Sequence, residues 1–301
     1  MTQPLRVATR GSALARRQTD LVIEALGVPA GVDVEVVVVE TLGDRRADAP
    51  IWQIGGQGVF VKEVQAAVLD GRADLAVHSA KDLPSRPVDG LVIAAVPPRG
   101  DPRDALVGAA LDQLPPGARI GTGSVRRRAQ LAWLRPDLTF AGLRGNIDTR
   151  LAKARSFDAI VMAAAALARL NRADAISHVL DAELVVPQVG QGALAVECRE
   201  DDTRVRAALA AIDDERSHRA LRAERAFLAE VGGDCELPVG AYATVAGADG
   251  RLTLTAILAR LDGRIVLRHT AAGDEPEALG RAVARHLLDE AGGEALLREL
   301  A

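Results

Sequence analysis

The sequence predicts a layered α/β protein, with two α/β units joined by crossovers and a smaller α+β unit after them. Strand-like and helix-like runs alternate from the first residues onward, the pattern of βαβ units that build a mostly parallel sheet with helices on both faces. Hydrophobic residues make up 49% of the chain but aromatics only 2%, so the core is built from Ala, Val, Leu and Ile, as sheets buried on both faces require. The length of 301 residues exceeds one domain of ~100 to 200 residues.

In order, "LRVATR" reads as a strand, residues 12–26 as a helix and "VDVEVVVVE" as a strand. A helix at 59–69 is closed by Gly71, and the strands "ADLAVHS" and "LVIAAVP" follow. At Pro97 the texture changes to "PPRGDPRDALVG" and then "DQLPPGA", two Pro/Gly clusters suited to a crossover and a hinge. The theme then repeats: "ARIGTGS" leads into a helix at 126–134, "TFAGLRG" into a helix from Thr149, and "FDAIVMAAAAL" carries an alanine run, 163–166, fit for a tightly packed helix. In "ELVVPQVGQGALAVECRE", Pro187 and Gly190 interrupt what would be one long strand, which marks a return crossover. From Asp213 a charged amphipathic helix, "DERSHRALRAERAFLAEV", opens the last unit. Three strand-like runs near 239–246, 252–259 and 265–270 follow, and then a helix at 276–288.

The formal net charge of -4 leaves no global positive field for nucleic acid, and so few aromatics supply no base-stacking platform. No segment approaches the ~20 apolar residues that span a bilayer, and "MTQPLRVATRGSALARRQTD" has no apolar signal region. A cytoplasmic protein is expected. Two cysteines, Cys198 and Cys235, make no disulfide framework, and five scattered histidines have no metal-ligand spacing.

Arginines nevertheless cluster at strand ends and helix starts. In "GTGSVRRRAQL" they stand in the first turn of a helix, where cations are disfavoured unless an anion compensates. At about 100° per residue Arg126, Arg127 and Arg128 cannot share one face, so two of them are expected to contribute. Arg10 in "ATRGSALA", and Arg144 and Arg150 in "LRGNIDTRL", hold equivalent places, and arginine suits bidentate binding of carboxylate or phosphate. The alternative for each is a solvated charge. In "HSAKDLP", Lys81 and Asp82 follow a strand, where ligands of open α/β sheets bind, although an ion pair or a helix cap is the plainer reading. The polar, glycine-bearing loop from Gly43 to Gly58 has the profile of a mobile lid or of a surface loop. Cys198 alternates within a strand and reads as an inert buried thiol. Cys235 lies in the tight turn "GGDCELPVG" and suits a nucleophile, a redox sensor or a point of covalent attachment.

Together, "ATRGSALA", "GGQGVFVKEV", "DLAVHSAKDLP", "RGDPRDALV", "GTGSVRRRAQL", "LRGNIDTRL", "VGQGALAVECR" and "GGDCELPVGAYA" resemble the hydroxymethylbilane synthase (porphobilinogen deaminase) family along nearly the whole chain. The resemblance implies two similar α/β domains like those of periplasmic binding proteins, joined by a double crossover, and a small C-terminal α+β domain. The expected boundaries are 1–97 with 190–212, then 98–189, then 213–301. It implies a monomeric transferase that joins four porphobilinogen molecules, each losing ammonia, onto a dipyrromethane cofactor, and releases hydroxymethylbilane by hydrolysis. The cofactor is then held through a thioether to Cys235. Asp82 would be the catalytic carboxylate, stabilising a cationic azafulvene and relaying protons. Each pyrrole carries an acetate and a propionate, which explains the arginines. Besides Cys235 and Asp82, the implied cofactor-binding residues are Lys81, Thr122, Ser124, Arg126, Arg127, Arg144 and Gln191. The implied substrate-binding residues are Arg10, Ser12, Arg144, Arg150 and Arg169. Gly123, Gln57 and Asp234 depart from the family's pattern, where serine, lysine and glycine are more usual.

The rival reading is a non-catalytic two-lobed protein that binds a small anion. It leaves Cys235 and Asp82 without a purpose.

Overall fold

Val7 and Ala8 face opposite sides of the first strand, β1 (Leu5–Arg10), and both are fully buried. A sheet covered on both faces needs apolar residues at consecutive positions, which is why these strands read as continuous apolar runs. The structure, a computed structural model, describes residues 4–27, 34–42, 61–232, 237–246 and 250–300. The chain divides into two units, Met1–Arg99 with Ala193–His218, and Gly100–Gly192 with Arg219–Ala301.

In the first unit, β1 is followed by α1 (Ala13–Leu26), β2 (Val34–Val39), α2 (Lys62–Leu69), β3 (Leu75–Ser79) and β4 (Leu91–Ala95). The sheet order is β2-β1-β3-β10-β4, where β10 (Leu194–Arg199) returns from beyond the second unit's first part and runs antiparallel to both its neighbours. Val7, Leu75, Val77, Ala95, Leu194 and Val196 form one face, packed with Val22 of α1 and with Val205 and Leu209 of α6 (Thr203–Leu209). Ala8, Val39, Ala76 and Leu91 form the other, under Val64, Ala67 and Val68 of α2. Each fully buried Leu or Val here contributes roughly 1.5–3 kcal/mol.

The second unit repeats this plan with a different chain order. Its first sheet runs β7-β6-β8-β5-β9, from β5 (Asp104–Val107), β6 (Arg119–Gly121), β7 (Thr139–Ala141), β8 (Ala159–Ala163) and β9 (His178–Val179). Here β5 is the antiparallel strand, and the crossover delivers it before the parallel ones rather than after them. Helices α3 (Val125–Leu134), α4 (Ile147–Lys153) and α5 (Ala164–Arg169) follow β6, β7 and β8, and the alanine run forms the join of β8 to α5. The expectation of mostly parallel sheets therefore holds with one exception in each, supplied by a crossover strand.

The last sheet is antiparallel, β11 (Val239–Ala246), β12 (Arg251–Ala259) and β13 (Val266–Gly273) in order. It packs Ala241, Leu252, Leu254 and Leu258 on Phe227 and Val231 of α7 (Glu215–Val231) and on Val283 of α8 (Pro276–Arg285). A last helix, α9 (Gly293–Leu300), adds Leu296 to that core.

Candidate active site

Asp82 ends a 3-10 turn, Ala80–Asp82, immediately after β3. The turn is fixed from behind: the Ala80 N–H donates to the Ala193 carbonyl at 3.1 Å, and the Ser79 and Gln18 side chains exchange hydrogen bonds of 2.9 and 3.1 Å. One strand position earlier, the buried His78 Nε2 lies 3.1 Å from Glu197 Oε2, which also accepts from Gln65 at 2.8 Å. Asp82 itself is half-buried, and its carboxylate engages no side chain or backbone group among the described residues. Among the described residues it is thus neither the helix cap nor the ion pair that its position in the sequence allowed. Lys81 beside it is half-buried, as is Arg10 at the end of β1. Ser12 caps α1 by accepting from the Ala15 N–H at 3.2 Å, which leaves its own hydroxyl hydrogen to donate.

In the second unit, β6 runs through Thr122, Gly123 and Ser124 into α3. Thr122 accepts from the Ser124 N–H at 3.2 Å, and Ser124 caps the helix at the Arg127 N–H. A Cβ on Gly123 would lie 2.9 Å from the Leu143 carbonyl oxygen, so the loop bearing Arg144 packs closer than any other residue would allow. Gly123→Ser is expected to cost ~1–3 kcal/mol and to move that loop, as urea unfolding and the KM for substrate will show. Unchanged values of both would mean that Leu143 gives way freely.

Arg126 and Arg127 are buried while Arg128 is exposed, so two of the three turn inward, as the helical spacing required. Both meet Asp104, a fully buried carboxylate at the start of β5. Arg126 Nη1 lies 2.8 Å from its Oδ2 and donates to the Val186 carbonyl at 2.7 Å. Arg127 Nε donates to Oδ1 at 2.9 Å and Nη1 to the Val161 carbonyl at 3.0 Å, while Gln191 Nε2 donates to the same Oδ1 at 2.9 Å. Burial alone would raise the Asp104 pKa, but the charges of Arg126 and Arg127 outweigh it and hold the carboxyl well below its usual range. Asp104 was invisible as a site residue in the sequence, where it is one acid among the prolines and arginines of "RGDPRDALV". The signal for it was the arginine pair, which needs a counter-ion to be buried.

After these contacts a surplus of cationic groups remains. The Nε and Nη2 groups of Arg126 are buried without a hydrogen-bond partner among the described residues. Arg169 donates to the Gly192 carbonyl at 2.6 Å but pairs with no carboxylate among the described residues, and burial pushes its pKa down to about 10. The half-buried Arg144 side chain likewise has no partner among them. Arg150 donates from Nε to the Gly145 carbonyl at 2.8 Å. Arg126, Arg144 and Arg169 fit a ligand carrying several carboxylates, because a guanidinium taken out of water without an anion is costly.

Cys235, Asp234, Gln57 and the loop 43–58 lie outside the described residues. The strand that follows Cys235 does reach Arg126: a Cβ on Gly240 of β11 would lie 3.1 Å from Arg126 Cδ and 2.8 Å from the Pro187 carbonyl oxygen. Within α7, Glu224 accepts from the Gly190 N–H at 2.7 Å and the Ala243 N–H at 2.9 Å. Cys198 is buried in the first unit's core, which pushes its thiol up to about 11, as suits an inert residue. Among the described residues no group of His, Cys, Asp and Glu is placed to hold a metal ion, and no helix is long and apolar enough to cross a membrane.

Residues 5–207 match the family model "Porphobilinogen deaminase, dipyromethane cofactor binding domain", and residues 218–289 match "Porphobilinogen deaminase, C-terminal domain". Similar curated proteins extend over nearly the full length. The porphobilinogen deaminase of Brevibacillus brevis is 46% identical, over 98% of this chain and 97% of its own. That of Geobacillus kaustophilus is 48% identical, over 98% and 96%. That of Roseiflexus sp. is 49% identical, over 99% of both.

Proposed function

The chain belongs to the porphobilinogen deaminase family, enzymes that build hydroxymethylbilane from porphobilinogen on a dipyrromethane cofactor, and on that premise we propose how its own residues divide the work. The bound cofactor supplies the pyrrole carbon from which the product chain is extended. Cys235, between α7 and β11 in the sequence, anchors it through a thioether. Lys81, Thr122, Ser124, Arg126, Arg127, Arg144 and Gln191 hold its carboxylates, and Arg10, Ser12, Arg144, Arg150 and Arg169 receive those of the substrate. Asp82 accepts the pyrrole N–H, holds negative charge where positive charge develops as ammonia leaves, and takes up the proton released on substitution.

The observation that carries this assignment is the guanidinium charge of Arg126, Arg144 and Arg169 that no carboxylate among the described residues balances, which an anionic ligand would neutralise. For Asp82, the support is a carboxylate that no described residue engages, on a turn that is rigidly held from behind. Three domains, bounded at 1–97 with 190–212, 98–189 and 213–301, are supported by three sheets, each with a hydrophobic core of its own. The proposal extends to a cytoplasmic monomer, which light scattering on the purified protein tests as to size.

Intact mass of the denatured protein, beside a Cys235→Ser variant, tests the anchor. Wild-type chains are expected to exceed the sequence mass by two porphobilinogen units joined with loss of ammonia, and the variant to show no excess. Wild-type chains without added mass after expression with substrate available would return the anion-binding reading.

A further inference from the structure

One carboxylate, that of Asp104, touches three of the side chains assigned to the cofactor. It is fully buried, and Arg126, Arg127 and Gln191 all reach it within 2.9 Å. The two arginines do not share it alike. Arg127 puts Nε and Nη2 against Oδ1, at 2.9 and 2.8 Å, and gives Nη1 to the Val161 carbonyl, so every nitrogen of its guanidinium is engaged within the protein. Arg126 meets Asp104 through Nη1 alone, and the same nitrogen donates to the Val186 carbonyl.

The nitrogens left over on Arg126, Nε and Nη2, form the side edge of the guanidinium. Its two parallel N–H groups match the two oxygens of one carboxylate. Both are buried and have no acceptor among the described residues. Charge leads to the same stoichiometry: among the described residues of the cluster, two guanidinium groups against the Asp104 carboxylate leave a single positive charge, which one further carboxylate would neutralise.

We propose that Asp104 is a positioning residue: it takes up Arg127 wholly and Arg126 by one nitrogen, and so presents the Nε/Nη2 edge of Arg126 to one carboxylate of the cofactor. Arg127 then acts through Asp104 and does not touch the ligand. The inference deepens, and rests on, the assignment of Arg126 to a cofactor carboxylate. It narrows that assignment for Arg127, from a ligand contact to a counter-ion of the residue that aims its neighbour.

The test is Asp104→Asn in the full chain, expressed with substrate available. Asparagine keeps the shape but leaves two buried guanidinium groups without their anion. The expected variant has wild-type far-UV circular dichroism, a minority of chains carrying the added mass, and, in the loaded fraction, a kcat lower on the order of 100-fold with little change in KM, because the misplaced group is on the cofactor side. A folded variant that is loaded and turns over like wild type overturns the proposal. An unmodified wild-type chain overturns it differently, by removing the assignment on which it rests.

A second measurement does not depend on how the variant folds. In protein labelled with 15N-arginine, the Arg126 Nε–H signal is expected to move between the Cys235→Ser variant and the loaded wild type, while that of Arg127 stays. A shift of Arg127 as large as that of Arg126 would place Arg127 on the ligand and sink the proposal.

Discussion

Asp82→Asn is expected to give a folded protein that binds substrate and hardly turns over, with kcat lower by roughly 10²–10⁴-fold, the range of a lost proton-transfer group. The fold should survive because Asp82 gives up nothing inside the molecule: its carboxylate engages no described residue, and the turn that carries it is held by the Ala80–Ala193 and Ser79–Gln18 hydrogen bonds instead. Asparagine has the same size but neither the charge to stabilise a developing cation nor the basicity to take its proton. Unfolding in urea should shift by less than about 0.5 kcal/mol, as for an exposed or unengaged site. A variant retaining a large share of the wild-type rate would remove Asp82 from the mechanism.

Arg126→Leu and Arg144→Leu should both weaken binding of the pyrrole carboxylates, yet differ sharply in stability. Arg126→Leu strips one of two cations from the fully buried Asp104 and is expected to cost ~3–5 kcal/mol, a large part of a total of ~5–15 kcal/mol. Arg144 has no partner among the described residues, so its removal should leave stability within about 0.5 kcal/mol and appear as a raised KM. Chemical unfolding beside saturation kinetics separates the two. Equal stability losses would mean that Arg126 is not bound into the Asp104 cluster, and normal saturation in Arg144→Leu would count against its role in holding carboxylates.

The contrast between these arginines shows which parts of the molecule were legible in the residue order. Helix starts were: the helices read at 12–26 and 126–134 begin at Ala13 and Val125, each one residue from its reading, where Ser12 and Ser124 close the first turn onto Ala15 and Arg127. The rule of 100° per residue likewise foresaw that only two of Arg126, Arg127 and Arg128 turn inward. Strands β1, β3, β4 and β8 announced themselves through apolar runs imposed by burial on both faces. By contrast β5 lies in a stretch that reads as a Pro/Gly crossover. It is four residues long and opens on a buried acid, so its composition carried no strand signal. The run from Glu183 to Val186 reads as the first half of an interrupted strand, but of this stretch only Leu194–Arg199 pairs in the sheet.

Residue order alone was enough for the alternation of elements, the chemistry of the ligand and the motifs that place the chain in its family, since local propensity and residue type express each of these directly. The division of labour among the arginines came only with the fold. Asp104 lies 23 residues from Arg127 and 87 from Gln191, and it gathers them because β5 enters its sheet antiparallel beside β8, opposite Ala163. A buried carboxylate is stable only among cations that neutralise it, and which cations those are depends on strand order rather than on spacing along the chain.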